Sequence, residues 1–241
     1  MIKNCFQILV RDSKEELPSL IKESSNIFKS SLPGHTYTLY EKEMIEDFIY
    51  QNFDKETLNA FHTLKPYSYK ADLAKYCISF LNGGWYSDIT LRMSAIINYS
   101  GSTYDFIGFV DKGNGMVRAN QLPYPIVASL FYVNKGSKIM EKAIETILLN
   151  CKTKYYGITP ICPTGPGVLG RALAHVGCQT NHLIGTFMPL TPNHDNLNRS
   201  YVLPDGTILA KHKDSWFSKA KTADISIFGL KGTNNYLDMY F

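Results

Sequence analysis

Apolar positions along the chain fall into two periods, continuous or alternating runs of strand length and recurrences at three and four residues. Cys5 to Val10 (CFQILV) is a continuous apolar run fit for a buried first strand. Leu17, Leu20, Ile21, Ser24, Ile27 and Phe28 then recur at helical spacing, which predicts a helix over 14–28 with Asp12 or Ser13 as its cap. Pro33-Gly34 is a turn, and His35 to Tyr40 alternates as a second strand. Strand, helix and strand in that order predict a parallel pair with the helix packed across it. Two short helices follow, over 43–52 and 55–64. Further strands are predicted over 105–110 and 125–133. Ser137 should cap a helix reaching about Asn150, with Ile139, Met140, Ala143, Ile144, Ile147 and Leu148 inward. Asp205-Gly206 between apolar flanks predicts a hairpin over 202–209. The fold class is therefore α/β: a mixed, mostly parallel sheet flanked by helices, in one domain spanning 1–241.

The stretch from Lys65 to Arg92 (KPYSYKADLAKYCISFLNGGWYSDITLR) organises the rest. Tyr69, Leu73, Tyr76, Cys77 and Phe80 form one face of a helix. Asp72 and Lys75 lie three apart on another face and can set opposite charges side by side. Asn82-Gly83-Gly84 stops the helix, because glycine enters the left-handed C-cap conformation at little cost. Trp85-Tyr86-Ser87 suits a short strand, and Asp88 falls at its C-terminal end, where open α/β sheets bind ligands.

Composition narrows the class. The chain has 241 residues, enough to bury a substantial core, and its 44% hydrophobic and 19% charged residues argue against disorder. A net charge of +4 is mildly favourable for a phosphate-bearing ligand or an anionic membrane surface, and too small to indicate nucleic-acid binding. The N-terminal run is too short for a signal peptide and no stretch is apolar enough to span a bilayer, so a cytoplasmic protein with at most peripheral membrane contact is expected. The 5 cysteines are odd in number and scattered, and read as reduced. Gly165, Gly167 and Gly170 formally match a dinucleotide fingerprint, but Pro166 interrupts the phosphate turn and no suitable strand precedes it. Cys162, His175, Cys178 and His182 fit no strong zinc spacing.

The run KADLAKYCISFLNGGWYSDIT resembles the central motif of family 32 glycosyltransferases, the group of the yeast initiating mannosyltransferases and of capsular polysaccharide synthesis. It is more distantly similar to the clostridial glucosylating toxins. Ala71, Asp72, Tyr76, Leu81, Gly83, Gly84, Tyr86 and Asp88 match in register. Lys75 stands where the family usually has arginine, and Thr90 where it has the second aspartate of its D-x-D motif. Weaker likenesses follow in the expected order. Gln7 falls at a glutamine of the family's first strand, with Leu9 in place of its tryptophan. Thr164-Gly165-Pro166 matches a turn that shapes the donor pocket. His212 with Ser215-Trp216 resembles the C-terminal His/Ser-Trp element.

The resemblance implies a GT-A-type fold and transfer, with retention of configuration, of a hexose or derivative from a UDP- or GDP-sugar. The acceptor would be a glycan, a lipid-linked group or a protein, in surface-polysaccharide or glycoconjugate assembly. It assigns catalysis to Asp88, Asp72 and Lys75, and donor binding to Gln7, Asp72, Gly84, Tyr86, Asp88, Ser215 and Trp216. Mn²⁺ or Mg²⁺ would sit on Asp88 and His212, neutralising the leaving diphosphate. With Thr90 neutral, one anionic ligand is missing, and three arrangements stay open. The metal is held weakly through Asp88, His212 and donor phosphates; or Lys75, Arg92 or Lys213 replaces it; or catalysis is lost and a nucleotide-sugar-binding or partner-binding protein remains.

Overall fold

The structure is a computed structural model and describes residues 3–99, 103–112, 125–190, 199–217 and 225–238. The polar run from Gly113, the loop His194–Asn198 and the terminal Tyr240-Phe241 lie outside the described residues. In chain order the elements are β1 (Asn4–Leu9), α1 (Ser19–Ser30), β2 (Thr36–Glu41), α2 (Lys42–Asn52), α3 (Lys55–Thr63), α4 (Tyr67–Asn82), β3 (Gly84–Ser87) and β4 (Arg92–Met93). They continue as β5 (Phe106–Asp111), β6 (Leu130–Val133), α5 (Lys138–Thr153), α6 (Pro166–Val176), β7 (His182–Pro189), β8 (Arg199–Val202) and β9 (Ile208–Lys211).

The strands form one 9-stranded sheet in the order β2-β1-β3-β6-β5-β7-β8-β9-β4. β1 pairs in parallel with β2 and β3, and β5 with β7, while β6, β8 and β4 run against their neighbours. β1, β2, β3, β5, β7 and β9 thus share one direction. The opening β1-α1-β2 unit is the parallel pair expected, with register Asn4↔Thr36 through Leu9↔Glu41.

Side-chain alternation divides the core between the two faces of the sheet. Phe6, Ile8, Tyr86, Phe106, Phe131 and Val133 join the apolar sides of α2 to α6. Cys5, Trp85, Ile107, Leu130 and Tyr132 join Phe28 of α1 on the opposite face. A third cluster, at the C-terminal end of β1, gathers Leu9, Ile21, Ile89, Phe228 and Leu230.

Three local readings are corrected. The first helix starts at Ser19, with Pro18 at its N-cap and no side-chain cap. A proline disfavours helical conformation in the residue before it, so 14–17 stay outside, and Asp12 instead binds Lys42 and Tyr67. The 125–133 run pairs as a strand from Leu130 onward, preceded by an isolated bridge of Ile126 to Val110. Ser137 occupies its N-cap position without a side-chain hydrogen bond. The expected hairpin forms, closed by Leu203 N–H donating to Thr207 O at 2.9 Å and Thr207 N–H to the Asp205 carboxylate at 2.9 Å. No described helix is long and apolar enough to cross a membrane.

Candidate active site

The site is built where β3 ends beside β1 and under α4. Gly84 begins β3 with φ +106, and a Cβ there would lie 2.3 Å from the Asn4 carbonyl oxygen. Glycine is what lets β3 approach β1 at this point. At the other end of the strand, Asp88 N–H donates to Ser129 O at 2.7 Å and Asp88 O accepts from Leu91 N–H at 3.1 Å. Gln7 braces the same turn. Its amide nitrogen donates to Asp88 O at 3.3 Å, and its amide oxygen accepts from Tyr37 OH at 2.9 Å.

α4 delivers two charges to this point. Lys75 Nζ lies 2.7 Å from Asp72 Oδ1 and 3.8 Å from Asp88 Oδ1, and donates to Ala128 O at 2.9 Å. It also sits 4.8 Å from the centre of the Tyr86 ring. Asp72 turns its other oxygen to Thr164, whose hydroxyl donates at 2.7 Å. Tyr86 OH donates to Asp88 Oδ1 at 2.6 Å. The result is a hydrogen-bonded chain from Thr164 through Asp72 and Lys75 to the Asp88–Tyr86 pair.

The electrostatics follow from this packing. The Lys75 side chain is 5% exposed. Burial alone would lower its pKa, but Asp72 and Asp88 outweigh that and hold it above the usual lysine value. Protein surrounds Asp88 except toward the cleft, where its side chain stays 42% exposed. Desolvation pushes its carboxyl up, while Lys75 and the Tyr86 hydroxyl oppose the rise. Burial, with Asp88 as a second cause, drives the Tyr86 phenol well above the ordinary tyrosine value, so it acts as a hydrogen-bond donor.

These groups line a cleft of about 150 Å³. Its lining combines the apolar side chains of Ile8, Leu9, Val10 and Ile89 with the polar groups of Asp72, Lys75, Tyr86, Asp88 and Thr90, and includes Tyr67, Asn234 and Tyr236. Of the residues expected at the site, Asp72, Lys75, Tyr86 and Asp88 are thus brought together. Gln7, Gly84, His212, Ser215 and Trp216 are not among the described lining residues. Gln7 and Gly84 support the site from beneath. The His212 ring nitrogen Nδ1 lies 2.8 Å from Asp214 and 3.1 Å from Arg199, so its nearest charged neighbour is Asp214. Ser215 Oγ donates to Arg199 O at 3.0 Å. The Trp216 ring stacks under the Arg92 guanidinium at 3.9 Å, and its buried indole N–H has no partner among the described residues.

Thr164 was expected only as part of the Thr-Gly-Pro turn that shapes the donor pocket, and not as a partner of Asp72. Ala128 O and Ser129 O were missed and had no signal, because any residue type supplies a carbonyl. Among the described residues no group of three or more His, Cys, Asp or Glu side chains is placed to hold a metal ion. A site shared with substrate is another matter. Magnesium commonly keeps its waters and takes one or two carboxylates plus substrate phosphates. The exposed side of Asp88 fits that role as a single protein carboxylate.

The architecture is one that a glycosyltransferase is known to use. The solved structure of PaToxG glycosyltransferase superposes with a TM-score of 0.58 at 13% identity, over 72% of this chain and 69% of that one. In sequence, 92 residues are 32% identical to "Uncharacterized glycosyltransferase L373" of Acanthamoeba polyphaga mimivirus, covering 38% of this chain. That match spans about a third, 36%, of the viral protein's length. No protein-family model matches the chain.

Proposed function

We propose that the protein is a glycosyltransferase of the family 32 kind. It moves a hexose or derivative from a UDP- or GDP-sugar to a glycan, lipid-linked or protein acceptor, with retention, in surface-polysaccharide or glycoconjugate assembly. The observation that carries the reading is the Asp72–Lys75–Asp88–Tyr86 cluster at the carboxyl end of β3, in which a buried lysine joins two carboxylates and Asp88 opens to the cleft. It sits on a fold shared with a solved glycosyltransferase.

Each group has a task on this reading. Asp88 presents its exposed oxygen to the donor's ribose or diphosphate. Lys75 fixes Asp72 and Asp88 in place and contributes positive charge near the reacting centre. Asp72, with both oxygens engaged and its side chain 13% exposed, positions more than it contacts. A divalent cation on Asp88 and the donor phosphates would supply charge neutralisation to the leaving diphosphate. Among the described residues no side chain at the site is placed as an evident nucleophile, so same-face attack within an ion pair is the mechanism proposed, with fixed dipoles stabilising the departing diphosphate.

A second reading, a nucleotide-sugar-binding protein without turnover, draws on Thr90. This residue lines the cleft and is neutral where the family carries a carboxylate. The test is thermal-shift and turnover screening against UDP- and GDP-sugars with Mn²⁺, Mg²⁺ or EDTA. Slow release of UDP or GDP supports the enzyme, and survival in EDTA assigns charge stabilisation to basic residues. Binding without turnover supports the second reading, and no response to any nucleotide sugar overturns both.

A further inference from the structure

Most of the cleft's lining comes from β1, β3, α4 and the turn after β3, but part of it comes from far along the chain. Residues 225–238 return to the cleft and place Ile225, Thr233, Asn234 and Tyr236 on its lining. The base of this segment is fixed, since Phe228 and Leu230 are 4% and 3% exposed in the third core cluster. Gly232 then crosses the β1–α1 connection at close quarters. Its carbonyl accepts from Asp12 N–H at 2.8 Å, and with φ +70 a Cβ would lie 2.3 Å from Ser13 N. Beyond it, Asn234 clamps the start of α4, accepting from Tyr67 N–H at 2.8 Å and donating to Lys65 O at 3.2 Å. The segment is therefore tied to the helix that carries Asp72 and Lys75.

Tyr236 is the aromatic residue that this segment brings to the cleft. Its ring stacks on Tyr69 of α4, with centroids 6.2 Å apart and planes at 27°. It lies near enough to Asp72 for the carboxylate's charge to add to burial in raising the phenol's pKa. Among the described residues none hydrogen-bonds its hydroxyl. A cleft of about 150 Å³ is also small beside the roughly 300–1,000 Å³ of ordinary small-molecule pockets. A nucleotide sugar therefore needs more room than this cleft holds, and Tyr236 is among the side chains that line it.

We infer that Tyr236 is a specificity-determining residue that roofs the sugar ring of the donor. This rests on the glycosyltransferase reading and extends it to a residue outside the motif that suggested it. The polar groups that share the cleft with Tyr236, Asp72 among them, suit a polyhydroxylated ring. Tyrosine can lay its ring against the C–H face of a pyranose while its hydroxyl pairs with a sugar hydroxyl. A site built to bond a hydroxyl discriminates sharply against a donor lacking it.

The experiment compares Tyr236→Ala and Tyr236→Phe with the wild-type protein. It uses the best nucleotide sugar from the screen and the matching free nucleoside diphosphate, with Asp88→Asn as a control. Tyr236→Phe should keep the wild-type unfolding midpoint within a few degrees, because the ring, its stacking on Tyr69 and its packing against the core are retained. Tyr236→Ala should weaken nucleotide-sugar binding about tenfold and leave the free diphosphate within about threefold. Tyr236→Phe should narrow the preference between the best donor and its epimers. Equal effects on sugar nucleotide and diphosphate, or unchanged donor preference in both variants, overturn the assignment while leaving the enzyme reading intact. A wild-type protein and Asp88→Asn that are equally inert toward every nucleotide sugar overturn the enzyme reading, and the inference with it.

Discussion

Lys75→Met is the substitution that most directly tests how the site is held. The ammonium is 5% exposed, 2.7 Å from Asp72 Oδ1, 2.9 Å from Ala128 O and 3.8 Å from Asp88 Oδ1. Methionine fills much of the same volume, so packing is roughly conserved and the cost is electrostatic. Removing one member of a buried ion pair leaves its partner's charge uncompensated, at about 3–5 kcal/mol. For a chain of 241 residues that corresponds to a fall of roughly 6–20 °C in the thermal midpoint. The assay is urea and thermal unfolding of the wild type, Lys75→Met, Asp72→Asn and the double variant. Asparagine keeps an oxygen for the Thr164 hydroxyl, so Asp72→Asn removes charge while preserving that bond. The double variant should be less destabilised than the two singles together by at least about 1 kcal/mol, because the second change removes the charge the first one stranded. A cost below about 1 kcal/mol for Lys75→Met, or strict additivity in the cycle, would refute the network as described.

Other outcomes can be checked in the same format. Gly84→Ala should cost at least about 2 kcal/mol in urea, because it adds a Cβ at positive φ against the Asn4 carbonyl. Asp54→Ala should cost about 1 kcal/mol, since the Asp54 carboxylate accepts from Thr57 N–H at 2.9 Å as the cap of α3. Those bonds hold the Asp54 carboxyl below its ordinary 3.8, so its stabilisation is present above that value and is lost as pH falls through the folded pKa. The gap between wild type and Asp54→Ala should therefore close in acid, and a gap that widened there would contradict the cap. Trp216→Phe keeps an aromatic ring under Arg92 and removes an N–H with no described partner. Stability should fall by less than about 1 kcal/mol in urea, and a larger loss would mean that the indole N–H has a partner after all.

What the sequence disclosed was local or carried by a specific word. Period and punctuation located α4 because its apolar face, its glycine stop and the aromatic strand after it are consecutive in the chain. The partners of that helix were hidden because they are far away in sequence. Thr164 reaches Asp72 across 92 residues, and the Ala128 carbonyl reaches Lys75 across 53. β7 went unread although it pairs along its length with β5. Its run HLIGTFMP contains a central glycine and ends in proline, which blur alternation, and most of its residues are only half-buried. Gly185 in that strand has a positional reason: a Cβ there would lie 2.5 Å from the Val202 carbonyl oxygen of β8. Pro18 had the opposite effect, cutting short a helix whose apolar spacing continued through it. Leu17 and Leu20 still pack against the third cluster, so the period reported burial correctly while the proline decided where the helix begins.

Thr90 changes the charge balance of the cleft as well as its count of ligands. Asp72 and Asp88 carry two negative charges, Lys75 carries one positive charge, and the charge of Lys213 also reaches Asp88. These four nearly cancel. An aspartate at position 90 would leave an excess negative charge facing a diphosphate, and a divalent cation would then be needed simply to let the donor in. With threonine there, the capacity to hold a metal and the electrostatic need for one fall together. On the proposed reading this is why loss of the second carboxylate is compatible with a working site, and why the EDTA arm of the donor screen is informative in either direction. Strong inhibition by EDTA would mean that the diphosphate's own charge, rather than the protein's, sets the demand for metal. Turnover persisting in EDTA would mean that the near-cancelled cleft suffices.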